Sequence, residues 1–286
     1  MDEREIISSE KFHQEILLIE SAIENKDIND FVENWNGSAE EARVASAEYL
    51  SLVDDEQFAE AVFGYFEDQI KQEKEDKGLI SGLRELGHHC PATEEKTADL
   101  LLASLKRNPE NCGIIQALRQ KAFSAFVRLK GEDSEEDNQQ FRSRISKIID
   151  AFCEIINRGQ AGAHEAIKKI SFFAKIEREK KKIEGVLRSA FRGDDEDLSV
   201  QALSELAEIV EPGDEEILPA LHKEAESISE MTEQSTGVDI ARKLGLIGDQ
   251  SSIELLENLI GHQNEVIARE AEISLDKINE RNDQSK

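Results

Sequence analysis

A histidine pair beside a cysteine is the stretch of this chain whose residue types could bind a metal. The segment LGHHCPAT places His88, His89 and Cys90 side by side, and Cys112 follows after a further predicted helix. A structural zinc site needs four nitrogen or sulfur ligands, usually in pairs two to four residues apart. The second ligand pair is missing, so a turn with a small apolar cysteine and two solvated histidines explains the stretch. We expect neither a metal nor another cofactor.

Adjacent carboxylates are the second feature that could do chemistry. Asp54-Asp55 and Asp194-Asp195 resemble an acid–base pair, but both pairs lie at predicted inter-helix turns, where Asp commonly caps a helix. Nucleophilic catalysis would need Ser or Cys beside His and an orienting acid. The sequence contains no recognisable motif of that kind and no glycine-rich phosphate loop after a strand. We therefore predict no catalytic residues and no enzyme activity.

A basic stretch is the third candidate, and it concerns binding. From Ile115 to Arg192 the chain has 17 Lys and Arg against 11 Asp and Glu, a local net charge of +6. Within it, Ile170, Phe173 and Ile176 predict a buried helical stripe surrounded by cations. Two interpretations stay open, a solvated helix face whose lysines pair with nearby acids and a basic groove that orients a partner. The candidate partner-binding residues are Lys168, Lys169, Lys175, Arg178, Lys180, Lys181 and Lys182.

The elements that position these residues are predicted to be helices. The chain has 286 residues with only four Pro and sixteen Gly, and it is rich in Ala, Leu, Ile, Glu and Lys. That composition favours helices, and no Val, Ile or Thr run alternates with period two. The sequence predicts an all-α protein.

The overall charge limits the classes of partner. The net charge is −27 and the sequence pI is about 4.6. Nucleic acids and anionic lipids repel such a surface, since binding to them depends on Lys and Arg contacts. We therefore expect a protein partner, with direct nucleic-acid binding disfavoured. The acidity itself suits either a basic partner or simple solubility.

No targeting or membrane segment is recognisable. The N-terminal MDEREIISSEKFHQ lacks the basic and apolar regions of a signal peptide, and no apolar run is long enough to span a bilayer. The three cysteines are odd in number and widely spaced, which disfavours a disulfide framework. A cytoplasmic location is expected.

A helical repeat is visible toward the C-terminus. Leu206, Leu244 and Leu275 correspond to one another at intervals of 38 and 31 residues, and an isoleucine follows each of them three positions later. Such a period is typical of helix–turn–helix repeats. Each pair of helices buries its apolar stripe only if further pairs stack against it.

One unit of this repeat predicts its own packing. Ile240, Leu244 and Ile247 lie at i, i+4 and i+7 and should form a buried stripe. Gly245 should allow a neighbouring helix to approach closely. Gly248 should end the helix in the left-handed conformation, with Asp249 or Ser251 capping the next helix.

The segment LGLIGDQSSIELLENLIGHQNEVIAREAEISLDKI resembles HEAT repeats of the phycobilisome-lyase type, in which an Ala-rich helix ends in Leu-Gly-x-Ile-Gly-Asp before an apolar second helix. The resemblance covers Leu198–Ile278 and is degenerate but traceable earlier, as in Glu40–Val62 and Leu79–Leu105. It implies an α-α superhelix, a HEAT/armadillo-like solenoid of about six or seven helix pairs.

The repeats suggest a division of the chain. We predict an N-terminal helical cap over residues 1–36, degenerate HEAT-like repeats over 37–192, well-matched repeats over 193–279 and a polar tail over 280–286. The charged segment Lys130–Gln140 is predicted to be a loop and a flexible joint.

The resemblance implies a non-enzymatic adaptor or scaffold that binds another protein on the concave face of the solenoid. A chromophore-lyase-like or cofactor-handling accessory stays open as an alternative, and so does an acidic nucleic-acid mimic that occupies a basic protein groove. Some alkylpurine DNA glycosylases are HEAT solenoids, but they need a basic concave surface and aromatic residues. This chain is acidic and has a single tryptophan, Trp35, which disfavours that class.

Overall fold

Helices account for the regular secondary structure of the molecule. The computed structural model describes residues 3–72, 74–129, 135–229 and 232–284, which form fifteen α-helices and three short 3₁₀ helices. No β-strand occurs within those ranges. The all-α class predicted from the composition is therefore confirmed.

The helices belong to two compact units. The first is built from Met1–Ile155 and Gln160–Glu165, and the second from Ile156–Gly159 and Ala166–Lys286. The boundary falls inside the segment 37–192 that the sequence treats as one run of degenerate repeats. The domain limits drawn from the sequence stay predictions.

The first unit contains two rows of helices. One row consists of α1, α3, α5 and α7 and the other of α2, α4 and α6, and within each row every helix packs against the next; α8 is joined to α6 by an ion pair of 3.2 Å between Lys147 and Asp99. A 3₁₀ helix, Ala47–Leu52, lies between α3 and α4. The helices are α1 (Glu3–Glu24), α2 (Ile28–Gly37), α3 (Glu40–Ser46), α4 (Glu56–Lys71), α5 (Lys77–Glu85), α6 (Pro91–Arg107), α7 (Cys112–Leu129) and α8 (Glu135–Asn157).

Aromatic side chains fill the core of the first unit near its start. Phe31, Trp35 and Phe66 are buried, and the ring of Trp35 lies 5.2 Å from each of the other two. Gly82 of α5 faces this cluster, where a Cβ atom would lie 2.6 Å from the Phe66 ring. Only glycine lets α5 pack so closely. Trp35 is a core residue and is not exposed for stacking on a nucleic-acid base.

In the second unit, the helices pack against their neighbours in sequence and in two cases against the next but one. Each helix from α10 to α15 packs against the next, and α12 also packs against α14 and α13 against α15. Two 3₁₀ helices occur here, Ser171–Lys175 and Gln250–Ser252. The α-helices are α9 (Ala163–Ile170), whose first residues belong to the first unit, α10 (Glu177–Phe191), α11 (Glu196–Leu206), α12 (Ile217–Glu226), α13 (Gln234–Ile247), α14 (Ile253–Ile260) and α15 (Glu265–Gln284).

The apolar stripe predicted for the repeat is confirmed in α13. Ile240, Leu244 and Ile247 are all buried. Gly245 faces α15, and a Cβ atom on it would lie 2.5 Å from the hydroxyl oxygen of Ser274. The small residue therefore permits the close approach of two helices, as predicted.

Gly248 ends α13 in a conformation different from the predicted one. Its φ of −63° and ψ of 150° are extended, so the left-handed prediction was wrong. A Cβ atom there would collide with the carbonyl oxygen of Leu244 and lie 2.9 Å from Ile278. Close packing, and not backbone freedom, requires glycine at this turn. The left-handed conformation occurs instead at Gly213, in the turn between α11 and α12, with φ of 81°.

Basic side chains close the ends of helices that precede them by about one repeat. Lys121 of α7 donates a hydrogen bond of 2.6 Å to the carbonyl of Leu86, at the end of α5. Arg281 of α15 donates bonds of 2.7 Å to the carbonyls of Gly245 and Gly248, at the end of α13. The last carbonyls of a helix lack intrahelical donors and carry partial negative charge, so a cation there is favourable. We call these contacts cross-helix caps.

The predicted loop and the predicted polar tail are both helical where the structure describes them. Within the predicted loop Lys130–Gln140, residues 130–134 lie outside the described residues, but α8 begins at Glu135. The predicted polar tail continues α15 as far as Gln284. The reason is the cross-helix cap of Arg281, which fastens this last part of α15 to α13.

Candidate functional site

The predicted basic stretch is divided among three short elements and does not form one helix. α9 ends at Ile170, the 3₁₀ helix Ser171–Lys175 follows, and α10 begins at Glu177. Ile176 between them is extended, with ψ of 105°, and only half-buried. The predicted stripe is nevertheless buried at Ile170 and Phe173.

Acidic side chains pair with several of the candidate cations. Arg178 and Lys182 approach the buried carboxylate of Glu179 at 3.2 Å and 3.7 Å. Lys180 pairs with Glu211 at 3.0 Å, and this bond raises the pKa of the lysine. These pairs reduce the positive field that the composition of the stretch suggests.

The other candidate cations differ in exposure. Lys168, Lys175 and Lys181 are exposed, whereas Lys169 is half-buried. The ammonium of Lys175 lies 5.2 Å from the ring of Phe172, a cation–π distance. Three of the seven predicted residues, Lys168, Lys175 and Lys180, line the groove described next.

A groove runs along α11 and α13 in the second unit. It has a charged half of about 630 Å³ and an apolar half of about 720 Å³. Ser204, Asp239 and Lys243 line both halves, so the two share one floor. We call this feature the α11–α13 groove.

The floor of the groove contains a buried lysine. Lys243 is only 3% exposed, and its ammonium bonds to Asp239 of its own helix and to Ser204 of α11. Arg242 pairs with Asp239 at 2.6 Å and with Glu208 at 3.3 Å. Both cations of α13 in the groove are therefore already neutralised by acids of the groove.

Glu205 contributes a different kind of acid to the charged half. Its carboxylate accepts hydrogen bonds from the Ser171 hydroxyl and, at 3.3 Å, from the Gln201 amide. Burial raises the pKa of Glu205, although the Ser171 bond and the charge of Lys243 oppose the shift. Its hydrogen-bond partners in the described part of the chain are neutral.

The apolar half lies beside these charges. Leu203, Leu221 and Ile240 form its buried floor, and Val200 lines it while being 51% exposed. An aliphatic side chain that is half exposed within a depression offers a contact surface for another apolar group. The groove can therefore accept a segment that carries both apolar and polar side chains.

The first unit has a smaller depression, which lies along one of its two rows of helices. It measures about 390 Å³ and lies along α3, α5 and the start of α7. Val44, Ile80, Arg84 and Gln116 are among its lining residues.

A buried ionic cluster joins α6, α7 and α8 in the first unit. Glu94 is fully buried and pairs with Arg128 at 2.7 Å and Arg144 at 3.0 Å. Lys121 is also buried, and burial lowers its pKa to about 8. Because Glu94 and Arg144 are almost inaccessible, the cluster contributes to helix packing and does not offer a binding surface.

Neither Lys121 nor Lys243 was predicted from the sequence to be buried, although a signal for both exists. Lys243 lies between Ile240 and Leu244, three residues after the first and one before the second, on the buried side of α13. Lys121 occupies a similar place beside the buried Ala122 of α7. A lysine at a core-facing position of a helical stripe predicts a buried polar contact.

The residues considered for a metal site point to different environments. Cys90 is buried, its thiol lies 3.7 Å from the carbonyl of Val53, and burial raises its pKa. His89 is exposed, His88 is intermediate and Cys112 is exposed. Within the described ranges no group of three or more His, Cys, Asp or Glu could hold a metal ion.

The predicted helix caps are confirmed. Asp55 caps α4 and Asp195 caps α11, each accepting a bond from the backbone N–H three residues later at 2.9 Å and 3.0 Å. Asp249 accepts a bond of 2.8 Å from the backbone N–H of Ser251. These carboxylates stabilise helix starts.

One pair in the second unit has the composition of a nucleophile and its base. The ring of His222 lies 2.8 Å from the hydroxyl oxygen of Ser252. Ser252 is fully buried, however, so a substrate cannot reach its oxygen. The pair links α12 to the 3₁₀ helix Gln250–Ser252.

In the described part of the chain, no helix is both long and apolar enough to cross a membrane. No protein-family model, curated protein or solved structure matches the chain.

Proposed function

We propose that the protein is a non-enzymatic adaptor that binds a segment of another protein in the α11–α13 groove. The observation that carries this proposal is the continuous floor shared by a charged half and an apolar half. A groove of mixed character suits a peptide or helix, because main-chain and side-chain contacts can be made along its length. The net charge of −27 favours a protein over a nucleic acid as the partner.

We also propose that the helices are stacked HEAT-like pairs of a HEAT/armadillo-like superhelix. Alternate helices pack in rows within the first unit, and the cross-helix caps join residues 33 to 36 positions apart, close to the repeat spacing. In repeat proteins each pair contacts its neighbours, and one face commonly binds the partner. The grooves along α3 and α5 and along α11 and α13 suit that use.

The basic residues at the edge of the groove have a supporting role in this proposal. Lys168 and Lys175 are exposed and line the groove, so they can orient an approaching partner. Lys181 is exposed as well but does not line it. Charges at such rim positions affect the association rate more than the final affinity.

The proposal is tested by affinity purification of the whole protein from native extract, followed by mass spectrometry. Val200→Asp places a charge in the apolar half of the groove. Val266→Asp is the matched control, because Val266 is 47% exposed on α15 and lies outside both halves. Proteins recovered with the wild type and the control should be lost with Val200→Asp, while all three chains keep the same circular dichroism. Equal recovery with both variants would refute binding in this groove.

A further inference from the structure

One acid in the charged half of the groove has only neutral hydrogen-bond partners among the described residues. One oxygen of Glu205 accepts from Ser171 and the other from Gln201, and both donors are neutral. Across the described residues, Glu205 forms no ion pair within 4.0 Å, although it is an intermediate residue lining the groove. A carboxylate in a partly buried site is better stabilised by a charged donor than by neutral ones.

Of the four described cations that line the charged half, three are engaged with other acids. Lys243 bonds to Asp239, and Arg242 pairs with both Asp239 and Glu208. On the opposite wall, Lys180 pairs with Glu211. The fourth, Lys175, has its ammonium 5.2 Å from the ring of Phe172. Supplying one of these cations to Glu205 would break an existing contact, so a cation from outside is favoured.

An apolar contact point lies on the same helix. Val200, 51% exposed, precedes Glu205 by five residues of α11, which is about 7.5 Å along the helix axis and about 140° around it. With side chains at a radius of about 5–6 Å, the two contact points are separated by roughly 12–13 Å. Two side chains of a partner span a similar distance when they lie about eight residues apart on a helix or about four apart on a strand.

We infer that the occupant of the groove is a segment that places an apolar side chain against Val200 and a Lys or Arg side chain against Glu205. This inference rests on the proposed function, because it names the chemistry of the segment bound there. The excess of acids over the whole chain, with a net charge of −27, also attracts a basic segment during association.

A phage-displayed library of random twelve-residue peptides, selected against the whole protein, tests the inference. Enriched peptides should carry Lys or Arg about four to eight residues from Leu, Ile or Phe. Their affinity should fall by more than about tenfold with Glu205→Gln, which keeps the size of the side chain and one accepting oxygen but removes its charge. Val200→Asp should cause a similar loss. Val266→Asp and Glu257→Gln, at exposed positions outside the groove, should cause none.

A second substitution, in the peptide, tests whether its Lys or Arg side chain contacts Glu205. Replacing the peptide's Lys or Arg with Gln should weaken binding to the wild type but have no further effect on Glu205→Gln. Some peptides could lose affinity with Val200→Asp but be acidic, or bind Glu205→Gln as well as the wild type. Such peptides would refute the predicted contact between a Lys or Arg and Glu205, but they would still bind in the groove. A selection without peptides sensitive to Val200→Asp would overturn the inference, while the purification experiment decides the proposed function separately.

Discussion

Two buried lysines illustrate how differently one residue type is accommodated in this molecule. Lys243 bonds to the carboxylate of Asp239, so its charge is matched within the same helix. Lys121 donates to a backbone carbonyl, and burial outweighs the attraction of Glu94 and Glu85, which lowers its pKa to about 8. Lys121 therefore loses its positive charge in mildly alkaline solution, while it forms a cross-helix cap.

Lys121→Met should show that the protonation of Lys121 is coupled to folding, because the difference in stability between the wild type and the variant should depend on pH. An unfolded lysine keeps its proton to about pH 10.5, whereas folded Lys121 loses it near pH 8. Between these values the unfolded chain binds more protons, so stability rises with pH in the wild type relative to the variant. Urea unfolding at pH 7, 8, 9 and 10 measures the difference. Lys147→Met, at an exposed position, should show no such trend. A constant difference across this range would contradict the assignment.

Glu94→Gln should be strongly destabilising, because the carboxylate is fully buried between Arg128 and Arg144. Breaking a buried ion pair from one side leaves uncompensated charge and costs about 3–5 kcal/mol. Glu60→Gln is the control, since Glu60 is 34% exposed and pairs with the exposed Lys96. That change should cost less than about 1 kcal/mol. Chemical denaturation of both variants decides the matter, and equal losses would contradict the role of Glu94.

Among the helices, the features predicted from the sequence are those set by local spacing. The buried stripe of Ile240, Leu244 and Ile247 and the close approach at Gly245 follow from positions within α13. The backbone of Gly248 could not be predicted in this way, because it depends on packing against Ile278 of a later helix.

The candidate site could not be predicted from the sequence for the same reason. The bond from Ser171 to Glu205 joins residues 34 apart, and the bond from Lys243 to Ser204 joins residues 39 apart. Each of these residue types is common on helix surfaces, so only tertiary packing brings them into one groove. The composition of the basic stretch predicted three of the lining lysines but not the acids that neutralise its charges.

Two glycines in helices should respond to alanine in opposite directions. Gly245→Ala forces a methyl group against Ser274 of α15, and overpacking of this kind costs about 1–3 kcal/mol. Gly185 in α10 has no atom within 4 Å of an added Cβ, so Gly185→Ala should stabilise by about 0.5–1 kcal/mol through helix propensity. Thermal melting of the two variants provides the measurement. A neutral Gly245→Ala would contradict the close approach of α13 and α15.

At the scale of the whole molecule, the division into two units predicts that a destabilising substitution in one unit leaves the stability of the other unchanged. Leu244 is fully buried in α13, so Leu244→Ala should cost about 2–5 kcal/mol. Its helix packs against α12, α14 and α15 of the second unit, and stability in repeat-like packing is shared mainly between neighbours.

Hydrogen exchange measured peptide by peptide tests this expectation. In Leu244→Ala, protection should fall in α13, α14 and α15, while α3 and α5 of the first unit exchange as in the wild type. Equal loss of protection in both units would indicate a single cooperative structure.

In the two cross-helix caps, a helix is stabilised by a residue that comes later in the chain. Arg281 closes the last turn of α13, and Lys121 does the same for α5, so in both cases the donor comes from later in the chain than its acceptor. A fragment ending before Arg281 would contain all of α13 yet leave the carbonyls of Gly245 and Gly248 without those donors. Helix pairs are thus asymmetric building blocks, and a truncation made at an apparent repeat boundary removes stability from the repeat that it was meant to preserve.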